Sequence, residues 1–368
     1  MAMTLRFARR VLAVALLVSA PPAVTRALPQ GATSKDLPTV WVLATGGTIS
    51  GKGASPTSLT EYKAGALLGE ELIGSMPEIK QVANVKVEQI VNVGSPNIML
   101  AHWLTLAARI NAIFASDPGA AGVVITHGTN TLEETAYFLN LTVKDDRPVV
   151  LVGAQRPATA MSADGPLNLL NAIRTASAPE ARGKGVLIVM NDEINAARDV
   201  TKTNTYRVEA FRTPELGFLG YVDADKVSFY RAPTKRHTSR SEFAVSASTQ
   251  LPKVEIVYSY VEPSTAMLRS LFAEHVQGIV FAGTGAGGIS GVERAALKQL
   301  LSTGGETMPV LVRSSRVGNG RVLSSREDDE MGMIPADTLN PQKARILLML
   351  ALTKTRDLKE IKRMFAEY

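Results

Sequence analysis

Short runs of Val, Ile and Leu, unbroken by polar residues, recur along this chain and constrain its fold more than any other feature. They fall at Val40 to Leu43, Gly122 to Ile125, Val149 to Val152, Val186 to Val189, Gly278 to Phe281 and Val310 to Val312. A strand with one face in water alternates apolar and polar positions, whereas a strand apolar at every position is covered on both faces. The intervals between runs are long enough for crossover helices. The sequence therefore predicts an α/β fold, with a parallel sheet between helix layers. Two helices carry start signals. Thr131-Leu-Glu-Glu134 has capping-box spacing and puts Leu132, Ala136 and Leu139 on one face. Gly165-Pro166 opens another, proline suiting a first turn, with Leu167, Leu170 and Ile173 behind it.

A chain of 368 residues is long enough for more than one core. Between Tyr230 and Pro252 it turns polar and basic without periodicity, before strand-like Val254 to Tyr258 resumes. The organisation predicted is a larger N-terminal domain over 38–229, a linker over 230–252 and a smaller α/β C-terminal domain over 253–368. No internal repeat of fixed period suggests a solenoid or propeller.

The first residues read as a secretory leader over 1–27: basic Arg6, Arg9 and Arg10, the apolar run Val11 to Ala20, then small and turn-forming residues to Ala27. That run is too short for a bilayer span, so the expectation is an exported, periplasmic protein with no membrane segment. The chain has no cysteine, which excludes disulfides and thiol chemistry and leaves stability to the core and to subunit contacts. Its four histidines, His102, His127, His237 and His275, show no metal-ligand spacing, and neither a metal nor a cofactor is predicted. The formal charge of +6 draws on scattered arginines, several of them in the leader, with no basic stripe or aromatic platform, and no nucleic-acid partner is expected.

The polar segments at the ends of these apolar runs carry the chemistry. The first run leads into Ala44-Thr-Gly-Gly-Thr-Ile-Ser-Gly51, the second into Thr126-His-Gly-Thr-Asn-Thr131, the third into Gly153-Ala-Gln-Arg156 and the fourth into Met190-Asn-Asp192. Carboxyl ends of parallel strands share one sheet edge, so these clusters are expected to converge on one site. Gly46 and Gly47 let backbone N–H groups approach a substrate, and Thr48 sets a hydroxyl beside them: a nucleophile with an oxyanion donor, as acyl transfer requires. The same stretch also reads as a tight turn capped by Thr48. It lacks the glycine spacing of nucleotide-binding loops. Gly128 and Thr129 offer a second such pair, which also reads as the cap of the following helix. On residues alone this is an amino-acid or amide site at a sheet edge.

Longer stretches carry a resemblance. Leu43 to Ser50, Thr126 to Thr135, Met161 to Pro166, Arg198 to Thr205, Val312 to Arg316 and Thr338 to Arg345 are similar, in the same order, to the signature segments of bacterial type II L-asparaginases. The similarity extends over essentially everything after Pro38. It implies hydrolysis of L-asparagine to L-aspartate and ammonia through an acyl-enzyme, without cofactor. It further implies that Thr48 attacks and Tyr62, on a loop that closes over the substrate, activates it. By the same resemblance, Thr129 and Lys202 form a second catalytic pair, and Ser95, Thr129, residue 130, Gly47 and Gly128 bind substrate. The assembly implied is a homotetramer of close dimers, each site completed by an acidic residue of the partner, for which the run Glu327-Asp-Asp-Glu330 is the candidate stretch.

Three positions depart from that pattern. Asn130 stands where most relatives have an aspartate that holds the substrate's ammonium group, and an amide brings an acceptor but no charge. Pro96 replaces a polar residue, and Gly283-Thr-Gly-Ala-Gly-Gly288 lacks the asparagines that some members contribute from a neighbouring subunit. With fewer polar contacts, weaker substrate binding and low glutaminase activity are expected. Two other readings stay open: a broader glutaminase-asparaginase, and a catalytically silent periplasmic amino-acid-binding relative.

Overall fold

The computed structural model describes residues 37–303 and 308–368, so the leader read at 1–27 lies outside the described residues. The large sheet begins with β1 (Thr39–Gly46). A small hairpin of β2 (Lys52–Gly53) and β3 (Tyr62–Lys63), then helix α1 (Gly69–Gly74), lead to β4 (Asn84–Val93), parallel to β1 on one side. Helix α2 (Leu100–Ser116) carries the chain across to β5 (Ala120–Thr126) on the other side of β1. From there α3 (Leu132–Thr142), β6 (Val149–Val152), α4 (Gly165–Ser177) and β7 (Val186–Met190) extend the parallel sheet outward.

Beyond β7 the expected parallel pairing ends. Strand β8 (Glu193–Ala196) runs antiparallel to β7, because Asn191 and Asp192, with φ of 53° and 63°, form a two-residue turn, and so short a connection can only make a hairpin. A separate ribbon of β9 (Thr201–Lys202) and β10 (Phe211–Arg212) comes next. Then β11 (Gly220–Val222) and β12 (Val227–Phe229) complete the antiparallel edge of an eight-stranded sheet ordered β12-β11-β8-β7-β6-β5-β1-β4.

Residues 230–253 hold a single 3-10 turn, Thr238–Arg240. This basic stretch is packed rather than free: Lys144 Nζ donates to the Ser241 carbonyl at 2.6 Å, and the Phe243 ring meets that of Tyr368. The second sheet is built from β13 (Val254–Tyr258), α5 (Ala266–Ala273), β14 (Gly278–Gly283), α6 (Gly291–Thr303), β15 (Val310–Ser315), α7 (Arg326–Glu330) and β16 (Ile334–Pro335). It is four-stranded, all parallel, in the order β13-β14-β15-β16. Helices α8 (Pro341–Leu352) and α9 (Leu358–Glu367) close the chain.

Both sheets are covered on both faces, as the unbroken apolar runs require. Val123 and Ile125 of β5 and Leu151 of β6 join Trp103, Leu106 and Ile110 of α2 in one cluster, while their neighbours Val124, Val150 and Val152 join Leu169, Ala172 and Ile173 of α4 in another. Each Val, Leu or Ile among them contributes about 1.5–3 kcal/mol on burial. The α2 cluster continues through Ala344, Leu347 and Leu348 of α8 to Val254, Val280 and Val312 of the second sheet, so α3 and α8 lie in an interior common to both sheets. That position explains why α3 is buried on nearly all sides instead of along one stripe.

Candidate active site

After β1 the chain turns toward β4, and after β5 it turns the other way, toward β6. A crevice therefore opens between the carboxyl ends of β1 and β5, where open α/β sheets bind ligands. Thr45 Oγ1 donates across it to the Thr126 carbonyl at 2.8 Å. Gly46 and Gly47 come next, with φ of 97° and 86°, a region that side-chain-bearing residues avoid. The backbone at Gly47 passes so close to that at Gly128 that any Cβ there would collide with it. This approach sets Thr48, first residue of a 3-10 turn and only 8% exposed, opposite the β5 end. The β2–β3 hairpin folds back over the turn and brings Tyr62 Oη within 2.7 Å of Thr48 Oγ1.

On the β5 side a buried relay orders the loop. Trp103 Nε1 can only donate, and it donates to Thr135 Oγ1 at 2.8 Å; Thr135 in turn meets His127 Nε2 at 2.9 Å. His127 Nδ1 lies 2.7 Å from the Gly128 carbonyl, which can only accept. The consistent tautomer carries its hydrogen on Nδ1, with Thr135 donating to Nε2. Burial pushes the His127 imidazolium down to about 4, which keeps the ring neutral, while the bond to the Gly128 carbonyl acts weakly the other way. The ring thereby fixes the peptide plane leading into Thr129.

Thr129, 5% exposed, receives a hydrogen bond from Lys202 Nζ at 2.8 Å, and the same ammonium donates to Asn130 Oδ1 at 3.1 Å. Ser95 is buried against this loop. Its Oγ accepts from the Asn130 N–H at 3.1 Å, and its carbonyl accepts from Thr131 Oγ1 at 2.8 Å. The capping box expected at Thr131 is therefore absent: Thr131 is the N-cap residue, but its hydroxyl is engaged by Ser95 and makes no side-chain cap bond. Lys202 lies on the short strand β9. Desolvation lowers its pKa from the usual lysine value, and the charge of Glu133 pulls it partly back.

These groups line one cleft of about 240 Å³, which includes Gly47, Thr48, Tyr62, Ser95, Gly128, Thr129, Asn130 and Lys202. They come from the loops after β1, β4 and β5 and from the short strands β3 and β9. Gln155 joins them from the loop after β6, where Asp164 accepts the N–H groups of Gln155 and Arg156 at 2.9 Å each. Among the described residues lining the cleft, Lys202 is the charged side chain and none is a carboxylate.

One expectation is corrected. Asn191 and Asp192 do not join the cleft; they form the β7–β8 turn, and Asp192 Oδ1 accepts from Asn171. The acidic run Glu327 to Glu330 forms α7. Asp328 is buried in ion pairs with Arg313 at 2.6 Å and Arg294 at 3.4 Å, so it is not free to serve a neighbouring site. Glu327, Asp329 and Glu330 pair with Arg294, Lys362 and Arg326 of the same chain. Thr205 and Tyr206, which no sequence expectation assigns to the site, also line the cleft. Asn204 turns the chain there by accepting the N–H groups of Tyr206 and Arg207 at 2.9 and 3.0 Å, a turn signal visible in Asn204-Thr-Tyr-Arg207. Among the described residues, no group of His, Asp and Glu could hold a metal ion.

Comparison with known proteins points the same way. Residues 39–235 match the family described as "Asparaginase, N-terminal", and residues 253–365 match "Glutaminase/Asparaginase C-terminal domain". L-asparaginase 2 of Bacillus subtilis is 51% identical over 91% of this chain and 88% of its own length. A probable periplasmic L-asparaginase of Haemophilus influenzae is 48% identical over 92% of this chain and 95% of its own. The crystal structure of a probable cytoplasmic L-asparaginase from Campylobacter jejuni superposes with a TM-score of 0.86 at 49% identity, covering 90% of this chain and all of that one. Matched by both family models and aligned with these relatives over nearly its full described length, the chain belongs to the asparaginase family.

Proposed function

We propose that this protein hydrolyses the side-chain amide of L-asparagine to L-aspartate and ammonia, with Thr48 as nucleophile. The observation that carries the reading is the pairing of two hydroxyls with two side chains able to exchange protons in one cleft: Thr48 with Tyr62 at 2.7 Å, and Thr129 with Lys202 at 2.8 Å. A threonine hydroxyl is a weak nucleophile until a neighbour takes its proton. Tyr62 accepts that proton as Thr48 attacks the amide carbon, and in the same relay passes its own phenolic hydrogen to the departing ammonia. Backbone N–H groups that Gly47 and Gly128 bring to the cleft hold the oxyanion. In the second half-reaction Lys202, shifted toward neutrality by burial, draws a proton from Thr129, which draws one from water; the water opens the β-aspartyl ester and frees Thr48. Ser95, Thr129 and Asn130 bind the amino-acid end of the substrate.

Asn130, a neutral acceptor, and Pro96, which has no side-chain donor, stand in the cleft lining and support weak binding of the substrate ammonium and slow turnover of glutamine. The working form we propose is a homotetramer of close dimers. We further propose export to the periplasm through the leader at 1–27, in keeping with the name of the Haemophilus influenzae relative; no helix of the described residues is long and apolar enough to cross a membrane. Hydroxylamine tests the chemistry. An acyl-enzyme partitions to β-aspartyl hydroxamate at the expense of aspartate, and turnover of asparagine that never yields hydroxamate would contradict it.

A further inference from the structure

Gln155 lines the cleft with Thr48 and Lys202, and the chemistry proposed above gives it no task. The residue is half-buried, and its Nε2 is buried without a hydrogen-bond partner. Elsewhere in the site the polar groups are matched: Thr48 by Tyr62, Thr129 and Asn130 by Lys202, and Ser95 by the Asn130 N–H. Among the described residues that line the cleft, Gln155 is the one with a buried polar atom left unmatched.

The backbone around it is pinned. Asp164 accepts the N–H groups of Gln155 and Arg156 at 2.9 Å each, and Arg156 Nη1 donates to the Ser162 carbonyl at 2.7 Å. On the other side, Asn168 Nδ2 donates to the Gly153 carbonyl at 3.1 Å, and Ala154 is fully buried. The loop after β6 is thus fixed at its main chain, while the amide it presents is unmatched. Buried amide N–H groups are normally paired, and a methionine would fill the same space with no donor to satisfy. The donor calls for an acceptor that arrives with the ligand. The last torsion of a glutamine is soft and roughly two-fold, so a half turn exchanges the ends of the amide and carries Nε2 to the cleft side.

Sheet order indicates which part of the ligand that is. The strands feeding the cleft run β6-β5-β1-β4, so the loops that carry Gln155 and Ser95 stand at opposite ends of the row. With the amino-acid end of the substrate held by Ser95 and Asn130, its side-chain amide extends past Thr48 toward β6. We propose that Gln155 is a substrate-binding residue that donates from Nε2 to the side-chain carbonyl oxygen of the substrate. That bond strengthens as the oxygen gathers charge during attack by Thr48. The inference rests on hydrolysis of L-asparagine at Thr48, as proposed above.

The test compares wild type with Gln155→Met, which keeps the length of the side chain and removes the donor. Two quantities are read in each: kcat/KM for L-asparagine, and the competitive inhibition constant of L-2-aminobutyrate, which has the same amino-acid end and carbon chain but no side-chain amide. Gln155→Met is expected to lose about ten-fold in kcat/KM, the scale of one hydrogen bond, with the inhibition constant changed by less than about two-fold. A merely structural role would weaken both alike, because the inhibitor shares the Ser95 end of the cleft, and that result overturns the inference. An unchanged kcat/KM overturns it too, and leaves the hydrolysis intact. Wild-type protein that releases no ammonia from L-asparagine removes the proposed reaction, and the inference with it. Should Gln155→Met not fold, Gln155→Leu gives the same comparison, with the same two results expected and the same outcomes against it.

Discussion

Gly47 and Gly128 pack backbone to backbone: a methyl group on Gly47 would lie 2.4 Å from both the Cα and the amide nitrogen of Gly128. That contact holds the β1 and β5 loops together and fixes the spacing of Thr48 and Thr129. Gly47→Ala forces a φ of 86° on alanine and drives its Cβ into backbone that cannot yield. A loss of at least about 2 kcal/mol of stability and a severe loss of activity are expected, read by urea unfolding and ammonia release. A variant as stable and active as wild type would show that the two loops can separate without harm.

Tyr62 makes its 2.7 Å bond to Thr48 from a two-residue strand with few other attachments. Tyr62→Phe keeps the ring and removes the proton acceptor. General-base catalysis of this kind contributes roughly 10²–10⁴-fold, so kcat should fall by about that factor while the thermal midpoint stays within a degree or two. Unchanged kcat would take Tyr62 out of the chemistry.

Asn130 meets Lys202 through an amide oxygen at 3.1 Å. Asn130→Asp replaces that contact with an ion pair and gives the substrate ammonium a charged partner. KM for L-asparagine is expected to fall, and the acid limb of kcat to move upward, because an opposite charge nearby favours the protonated lysine. The assignment of weak binding to Asn130 fails if KM is unchanged.

The neutral state of His127 is a stability statement. Its imidazolium is held down at about 4 in the fold against 6.5 when free, so the unfolded chain binds the proton first. Stability from this group is complete above about pH 6.5 and is lost as pH falls toward 4, amounting to about 3 kcal/mol. Urea midpoints measured from pH 7.5 to 4.5 should therefore decline in wild type and decline less steeply in His127→Gln. Parallel declines would show that the relay through Thr135 does not govern the acid limb.

The strands and the cleft are legible in the sequence because their signals are local. Val123, Val124 and Ile125 can all be apolar only where both sheet faces are covered, and Gly46-Gly47-Thr48 at the end of such a run marks a close approach to the sheet edge. The antiparallel edge is not legible in the same way, since the β7–β8 hairpin turns on two positive-φ residues, Asn191 and Asp192, whose polarity suits a binding loop equally well. The cap at Thr131 escapes a local reading for a long-range reason: Ser95, thirty-six positions away, claims its hydroxyl. The same holds for Asp328 of α7, whose partner Arg313 comes from β15, and for Glu133, which looks in sequence like a helix-dipole carboxylate and lies buried against α8 in the fold. Pairings set by tertiary contact leave no periodic trace.

Ammonia release from the purified protein with L-asparagine and with L-glutamine, beside Thr48→Ala, decides whether Thr48 carries out the proposed hydrolysis. Turnover of asparagine is predicted, with turnover of glutamine at least about ten-fold slower and a loss of roughly 10³-fold or more in a Thr48→Ala variant that melts like wild type. Ammonia release by Thr48→Ala near the wild-type rate, or silence of the well-folded wild-type protein toward both amides, would contradict it.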